Sequence, residues 1–291
     1  MNEAIRQMLD RYACKTRDDY LNALREIMQE LALLGLWRSK FFEHAAFYGG
    51  TALRVLHGLD RYSEDLDFSL LKPDARFTLA RYGDALRHEL RGFGFSVQFT
   101  QKTAVRKTTA IESAFLKTDT VQQLIVLEAA PEIVSALPRG RQLIIKLEVD
   151  ADPPPAFITE TKYVLQPVPF AVRVYSLPDL FAGKMHAVLC RKWKNRVKGR
   201  DWYDLVWYAG RHPELRLRHL EARMRQSGDY TAAGPLTPDD LRLRLAAAIA
   251  RLDVRQAFAD IEPFVRDRQS LTLWSKEFFT EISRRIVPLT E

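Results

Sequence analysis

FYGGT at residues 47–51, followed by SEDLDFSL at residues 63–70, is the part of this sequence that decides the fold. The first segment predicts a short strand that ends in two glycines and leads into a helix, and the second predicts a strand. Side chains two positions apart on a strand point to the same face, so Asp65 and Asp67 should converge above the sheet. The two segments therefore predict a glycine turn and a carboxylate pair as parts of one site.

These residue types suit a phosphate and a hard metal ion. Paired carboxylates offer the oxygen ligands that Mg²⁺ prefers, particularly when substrate phosphates supply its other ligands. The turn Gly49-Gly50-Thr51 before a helix exposes backbone N–H groups, which bind phosphate. Each half has a structural alternative, because the glycines could form an ordinary turn capped by Thr51 and the carboxylates could lie on a solvated strand face. Their combination favours a site for a metal-bound nucleoside triphosphate.

The composition is that of a globular protein with a basic surplus. Of 291 residues, 47% are hydrophobic and 28% are charged, and 44 Lys and Arg against 37 Asp and Glu give a net charge of +7. Such a surplus is compatible with an acidic partner such as RNA. No apolar run reaches the roughly 18 residues that span a bilayer, so we expect no membrane partner. The N-terminus lacks a basic n-region and an apolar h-region, so we expect no secretory signal. Cys14, Cys190 and the six histidines show no metal-ligand spacing, and the few cysteines favour a reducing, cytoplasmic location.

The pattern of the chain changes near residue 175. Helical and strand-like segments are mixed before it, and every segment after it is typical of a helix. We therefore expect an α+β fold with two domains: residues 1–174, a mixed sheet flanked by helices and preceded by N-terminal helices, and residues 175–291, a helical C-terminal domain. A helix is expected over residues 75–91, and an irregular segment follows the proline run after residue 152. The candidate strands are residues 45–48, 63–70, 95–99, 110–116, 122–127, 142–150 and 172–175.

A third carboxylate is expected on the strand at residues 142–150. Glu148 and Asp150 repeat the spacing of two, and two-metal phosphoryl transfer uses a third carboxylate besides the first pair. Glu148 lies mid-strand in an apolar context whereas Asp150 adjoins the proline run, so Glu148 is the preferred ligand. The alternative is a surface strand on which Lys146 pairs with Glu148.

The helical half contains the remaining candidate site residues and the densest run of basic residues. Lys184 lies on a predicted helix, where it either meets the β- and γ-phosphates of a nucleotide or is an ordinary exposed lysine. Asp201 and Asp204 share one side of a later helix, where Asp201 could also be a cap. A basic run is the candidate footprint for an RNA backbone, with Trp193 and Trp202 either stacking on bases or packed inward. Its members are Arg191, Lys192, Lys194, Arg196, Lys198 and Arg200.

Two motifs resemble those of a known family. GGTALR at residues 49–54 with RYSEDLDF at residues 61–68 resembles the first motif of the AbiEii/AbiGii nucleotidyltransferase toxins, and KGRDWYDL at residues 198–205 resembles their closing motif. The resemblance implies a polymerase-β-like nucleotidyltransferase core followed by a helical C-terminal part. It also implies a toxin of a toxin–antitoxin or abortive-infection (phage-defence) system, with a cognate antitoxin as partner. Proteins of this kind transfer nucleotides from NTP to the 3′ end of tRNA and release pyrophosphate.

The resemblance also implies roles for individual residues. Asp65 and Asp67 would bind Mg²⁺, with Mn²⁺ as the alternative ion and Glu148 as the ligand added from strand geometry. Lys184 would contact the triphosphate and Asp201 would complete the catalytic set, so the helical domain would contribute to the site. The residues expected at the nucleotide are Gly49, Gly50, Thr51, Ser63 and Lys184. Two alternatives stay open, namely transfer to a protein hydroxyl and a nucleotide- or RNA-binding module without catalysis.

Overall fold

The computed structural model describes residues 3–102, 111–119, 142–191 and 197–290. The chain divides into two compact units. The first unit consists of Met1–His57, Glu64–Pro153 and Thr161–Val174. The second consists of Gly58–Ser63, Pro154–Glu160 and Tyr175–Glu291, so it takes two short segments from the earlier part of the chain in addition to the helical half.

Within the described residues, the first unit is built on a mixed sheet of seven strands. In chain order these are β1 (Ala45–Tyr48), β2 (Leu66–Leu70), β3 (Gln98–Lys102), β4 (Ile111–Asp119), β5 (Gln142–Asp150), β6 (Thr159–Val164) and β7 (Phe170–Tyr175). Their order across the sheet is β3-β4-β5-β2-β1-β7-β6. Strand β2 is central, antiparallel to β1 and parallel to β5, while β1 is parallel to β7. This mixed sheet confirms the predicted α+β class.

The helices flank the sheet in the first unit and form most of the second unit. In the first unit they are α1 (Glu3–Asp10), α2 (Arg17–Arg38), α3 (Gly49–His57) and α4 (Gly83–Gly92). In the second unit they are α5 (Leu177–Cys190), α6 (Gly199–Arg211), α7 (Leu217–Gln226), α8 (Pro238–Arg251), α9 (Val254–Ile261) and α10 (Lys276–Ser283). A small parallel pair, β8 (Glu214–Arg216) and β9 (Val287–Leu289), completes the second unit. No helix in the part of the chain that the structure describes is both long and apolar enough to cross a membrane.

Several elements differ from the sequence expectation, among them β8 and β9, which are strands in the half that was expected to be helical. The strand expected at residues 95–99 begins only at Gln98, because the Phe95 N–H donates to Leu90 O and so closes the end of α4. The helix expected over residues 75–91 is a 3-10 turn followed by α4, since Thr78 caps the turn by accepting from the Ala80 N–H. Strand β6 was not expected, because its TETKYV sequence lacks the apolar alternation of a half-buried strand. The candidate strand at 122–127 lies outside the described residues.

Helix α2 supports the motif around the sheet centre. Thr16 and Asp19 form a capping box at its start, and the helix packs against α4 and β5. Glu26 on this helix accepts from Arg54 Nε of α3 at 2.7 Å. The buried Gln29 side chain donates to Glu64 O at 3.0 Å, directly before the acidic pair. One helix therefore fixes both the glycine helix and the start of the acidic strand.

Candidate functional site

The glycine turn lies directly against the Asp67 carboxylate. Tyr48 is the antiparallel partner of Asp67, and α3 begins at the next residue, Gly49. The Gly49 backbone has a φ of +84°, and a Cβ at this position would clash with Asp67 Oδ2 and lie 3.1 Å from Asp67 Cγ. Glycine is therefore required both by the backbone conformation and by the closeness of the carboxylate. The first N–H groups of α3 have no acceptor within the helix, and N–H groups at such a position are suited to binding a phosphate.

Thr51 connects the two halves of the motif. Its side chain is fully buried, and its hydroxyl donates to Asp65 O. The hydroxyl thus fixes the backbone at the acidic pair, and what Thr51 offers a phosphate is its backbone N–H. Gly50 is likewise buried. Because the glycines have no side chains and the Thr51 side chain is buried, a ligand at Gly49 to Thr51 would meet backbone groups.

The acidic residues meet across two parallel strands. Strand β2 begins at Leu66, so Asp65 is the residue before the strand rather than a member of it. Asp67 is the register partner of Glu148 on β5, and partners in register point to the same face of a sheet. Both side chains are half-buried, whereas Leu66 and Leu147 on the opposite face are fully buried. The structure therefore brings Glu148 beside Asp67, with Lys146 Nζ 2.5 Å from Glu148 Oε1.

The donor set of this face fits a hard divalent cation. Asp65, Asp67 and Glu148 supply only carboxylate oxygens, which suit Mg²⁺ or Mn²⁺. Among the described residues, these three do not form a group whose ligand atoms all lie within 4.8 Å of one another. Carboxylates on neighbouring strands can close such a gap by side-chain rotation, because neighbouring strands lie only about 4.8 Å apart. Asp150 is the partner of Ser69, two register positions further from the glycine turn.

Gly49→Ala is expected to damage both folding and function. A side chain at positive φ costs roughly 1–2 kcal/mol by itself, and the new Cβ must also displace the Asp67 carboxylate. Gly58→Ala is the matched control, because Gly58 has a φ of +74° and a Cβ added there would meet no atom within 4 Å. Urea unfolding and nucleotidyl transfer should be measured on both variants. We expect comparable backbone costs but lost transfer only for Gly49→Ala, and equal transfer by the two variants would contradict the close approach.

The second unit contains a buried ion-pair cluster. Arg61 donates from Nε and Nη2 to the two carboxylate oxygens of Asp204, at 2.6 and 2.7 Å. Lys184 Nζ lies 2.7 Å from Asp204 Oδ2 and 3.4 Å from Asp201 Oδ1. The Arg61 and Asp204 side chains are 2% and 0% exposed, and Lys184 is 16% exposed. Lys184 is therefore held by two carboxylates, so the alternative of an ordinary exposed lysine is not the one observed.

The residues of this cluster stabilise one another's charged forms. Burial raises the pKa of Asp204, but the nearby Arg61 and Lys184 charges outweigh it and hold the pKa below its usual value. Burial likewise opposes the charged form of Arg61, and the Asp204 carboxylate nevertheless keeps the Arg61 pKa above its usual value. Both directions describe an ionised pair with bidentate geometry, which is the strongest form of such a contact.

The candidate RNA-binding run is described only in part. Arg191 is half-exposed and its Nη1 lies 3.9 Å from Asp201 Oδ2. Arg200 stacks over the Phe264 ring at 4.3 Å. Trp202 is buried with an edge-on contact to Phe279, so its inward-packed alternative is the one observed. Lys198 is half-buried, and burial lowers its pKa. Lys192, Trp193, Lys194 and Arg196 lie outside the described residues.

Three further predicted or overlooked positions are placed by the structure. Ser63 is only 8% exposed, so little of its side chain is accessible. Arg61 and Asp204 are part of the two sequence motifs, which gave no sign of a structural role for them. In the structure they form the buried ion pair of the second unit. Their pairing over 143 positions has no local pattern in the sequence.

The class of the protein follows from the sheet, the glycine turn and the carboxylates beside it, which together are typical of a nucleotidyltransferase core. The profile of the family described as "Nucleotidyl transferase AbiEii toxin, Type IV TA system" matches residues 31–280. The chain therefore belongs to the AbiEii family of nucleotidyltransferase toxins, which confirms the resemblance of its motifs. Membership of a type IV toxin–antitoxin family implies an antitoxin partner.

One solved structure supports the fold. The crystal structure of JHP933 from Helicobacter pylori has a TM-score of 0.51 and 16% identity, covering 91% of this chain and 89% of that one. A second H. pylori structure, described as that of a candidate nucleotidyltransferase, has a TM-score of 0.47 and 16% identity, covering 90% and 91% of the two chains. A comparison with curated proteins finds no match.

Proposed function

We propose that this protein transfers a nucleotide from an NTP to the 3′-hydroxyl of an RNA, most specifically a tRNA, and releases pyrophosphate. The observation that carries the proposal is the position of Asp67, which lies against the phosphate-binding turn at Gly49 and beside Glu148 on the next strand. Phosphoryl and nucleotidyl transfer depend on positioning and on compensation of negative charge, and these residues supply a phosphate cradle next to carboxylate ligands.

The glycine turn binds the nucleotide in this proposal. The backbone N–H groups at Gly49, Gly50 and Thr51 hold a phosphate of the triphosphate at the positive end of α3. The Thr51 hydroxyl keeps this turn in register with Asp65 by its hydrogen bond to the backbone. The Gly49 N–H and the Asp67 carboxylate are thus presented together, so the phosphate chain and its cation are bound side by side.

The carboxylates orient the reacting groups. Asp65, Asp67 and Glu148 would hold Mg²⁺, which supplies Lewis-acid stabilisation of charge on the phosphate and acidifies the attacking hydroxyl. Lys146, 2.5 Å from Glu148, reduces the repulsion between neighbouring carboxylates. Lys184, whose ammonium is oriented by Asp204 and Asp201, is assigned to the charge of the β- and γ-phosphates. The cluster around Asp204 thereby pre-organises the lysine.

RNA is the acceptor we favour because the basic residues lie close together in the sequence. The run from Arg191 to Arg200 contains six cations in ten residues, and the chain has a net charge of +7. A phosphate backbone binds such a patch mainly by electrostatics, so transfer should decline steeply with added salt. The resemblance to toxins that modify the 3′ end of tRNA favours tRNA within this class.

The direct test is transfer of label. The full chain should be incubated with total tRNA, Mg²⁺ and each α-labelled NTP in turn, and we expect label that is removed by RNase and resists protease. The opposite sensitivity would replace RNA by a protein hydroxyl as acceptor. Asp65→Ala is expected to give no labelled product while keeping its circular dichroism spectrum, and full labelling by this variant would refute the proposed site. NTP binding without transfer to either acceptor would indicate a non-catalytic module.

A further inference from the structure

The second unit also brings together three side chains of a different chemistry. His186 and Cys190 are four residues apart on α5, so they lie on one face of the helix. Asp229 follows α7 in the turn at residues 227–230. One candidate ligand atom from each of these three residues lies within 4.8 Å of the others. The sequence analysis found no metal-ligand spacing among the cysteines and histidines, and the structure brings His186 and Cys190 together with Asp229.

The donor set of this cluster is unlike that of the sheet. An imidazole nitrogen, a sulfur and a carboxylate oxygen suit a borderline transition-metal ion such as Zn²⁺, whereas Mg²⁺ prefers oxygen alone. In a tetrahedral Zn²⁺ site the ligand atoms are roughly 3.3–3.8 Å apart, given metal–ligand distances of about 2.0–2.3 Å. The ligand atoms lie within 4.8 Å of one another, so reaching this spacing needs at most about 1–1.5 Å of movement.

Ser227 lies within hydrogen-bond distance of two members of the cluster. Its Oγ lies 3.0 Å from His186 Nε2 and 2.7 Å from Asp229 Oδ2. Metal-binding histidines commonly use one ring nitrogen for the metal while the other is held by a hydrogen bond. Ser227 therefore orients both the His186 ring and the Asp229 carboxylate.

A thiolate from Cys190 and the Asp229 carboxylate would together offset the charge of a divalent ion bound at this cluster.

We propose that His186, Cys190 and Asp229 bind a borderline divalent transition-metal ion, of which Zn²⁺ is the representative, with water as the fourth ligand. The ion would join the C-terminal end of α5 to the turn after α7, and these two helices already pack together. Helix α5 also bears Lys184 and leads into the basic run, so the ion acts as a structural clamp on that helix. The site is separate in chemistry from the carboxylates of the sheet.

The test uses Co²⁺ as a visible substitute for Zn²⁺. The full chain, stripped with a chelator and kept reduced, is titrated with Co²⁺, and we expect a thiolate-to-cobalt charge-transfer band that added Zn²⁺ abolishes. Cys190→Ser should lose the band, and Cys14→Ser is the matched control that should keep it. Ser227→Ala should retain the band with about 10–100-fold weaker binding, as expected for a residue that supports a ligand.

Each other outcome would overturn the proposal. Absence of the band in the native protein, or its persistence in Cys190→Ser, means that the cluster is not the metal site. Loss of the band in Cys14→Ser would assign the thiolate to the other cysteine. Asp229→Asn provides a second variant that leaves both thiols in place, and unchanged Co²⁺ affinity in this variant would exclude the three-residue site.

Discussion

Asp67→Asn is expected to reduce nucleotidyl transfer by about a thousandfold or more, with little effect on folding. The substitution keeps the size of the side chain but replaces an anionic ligand by a neutral amide at the point where the glycine turn and Glu148 converge. A thousandfold loss corresponds to about 4 kcal/mol of transition-state stabilisation, which is reasonable for removing a charged ligand from the reacting phosphate. The side chain is half-buried and at the surface of the sheet, so the free energy of unfolding should change little.

Initial rates of label incorporation and urea unfolding should be measured on the same preparation of the variant. Asp84→Asn is the matched control, because it is the same substitution in the same unit on a side chain that is 95% exposed. The control should keep full transfer. Loss of transfer accompanied by unfolding would mean that Asp67 is structural, and near-native transfer would remove it from the site.

A parallel experiment tests whether Glu148 or Asp150 is the third carboxylate of the site. Glu148 is opposite Asp67 in the register, whereas Asp150 is opposite Ser69. Glu148→Gln should therefore lose transfer and Asp150→Asn should largely retain it. The reverse result would identify Asp150 as the ligand.

The features that the sequence predicted are those with a local signal. The glycine turn, the acidic strand and the strand with Glu148 can each be recognised from a pattern of a few residues. What the structure adds for these elements is the register in which β2 pairs with β5. The structure alone shows the long-range pairs. Arg61 and Asp204 are 143 positions apart, and the cluster of His186 with Asp229 joins a helix to a distant turn. No periodicity encodes such contacts, because they arise from the packing of elements that are remote in sequence.

Asp204→Ala is expected to destabilise the second unit by about 3–5 kcal/mol. The substitution removes the anion from a fully buried bidentate pair and leaves the Arg61 guanidinium, which is 2% exposed, without its counter-charge. It also removes the nearer of the two carboxylates that hold Lys184. Urea unfolding followed by tryptophan fluorescence reports this unit, which contains Trp202, Trp207 and Trp274. The midpoint should fall with little change in slope.

The pH dependence of the same contact has a definite sign. The pKa of Asp204 is lowered in the folded protein, so this group binds its proton less readily there than in the unfolded chain. Its contribution is fully present above the unfolded pKa, near pH 4, and is lost as the pH falls through the folded value. Native protein should therefore lose stability below about pH 4 more steeply than Asp204→Ala does.

The expected loss of stability in Asp204→Ala is large because the ion pair is buried. An exposed ion pair of the same length in this chain shows what the pair contributes without burial. Arg242 Nη1 lies 2.6 Å from Asp239 Oδ1, the same separation as Arg61 Nε and Asp204 Oδ1, but the two side chains are 69% and 85% exposed. Asp239→Ala should change the free energy of unfolding by less than about 1 kcal/mol.

The pair Arg61→Met with Asp204→Leu should recover much of the stability lost in Asp204→Ala, since apolar side chains replace both charges and no buried guanidinium is left unpaired. Equal destabilisation by Asp204→Ala and Asp239→Ala would show that the buried pair contributes no more than a solvent-screened one. Failure of the double substitution to recover stability would instead place the cost in the lost contact with Lys184.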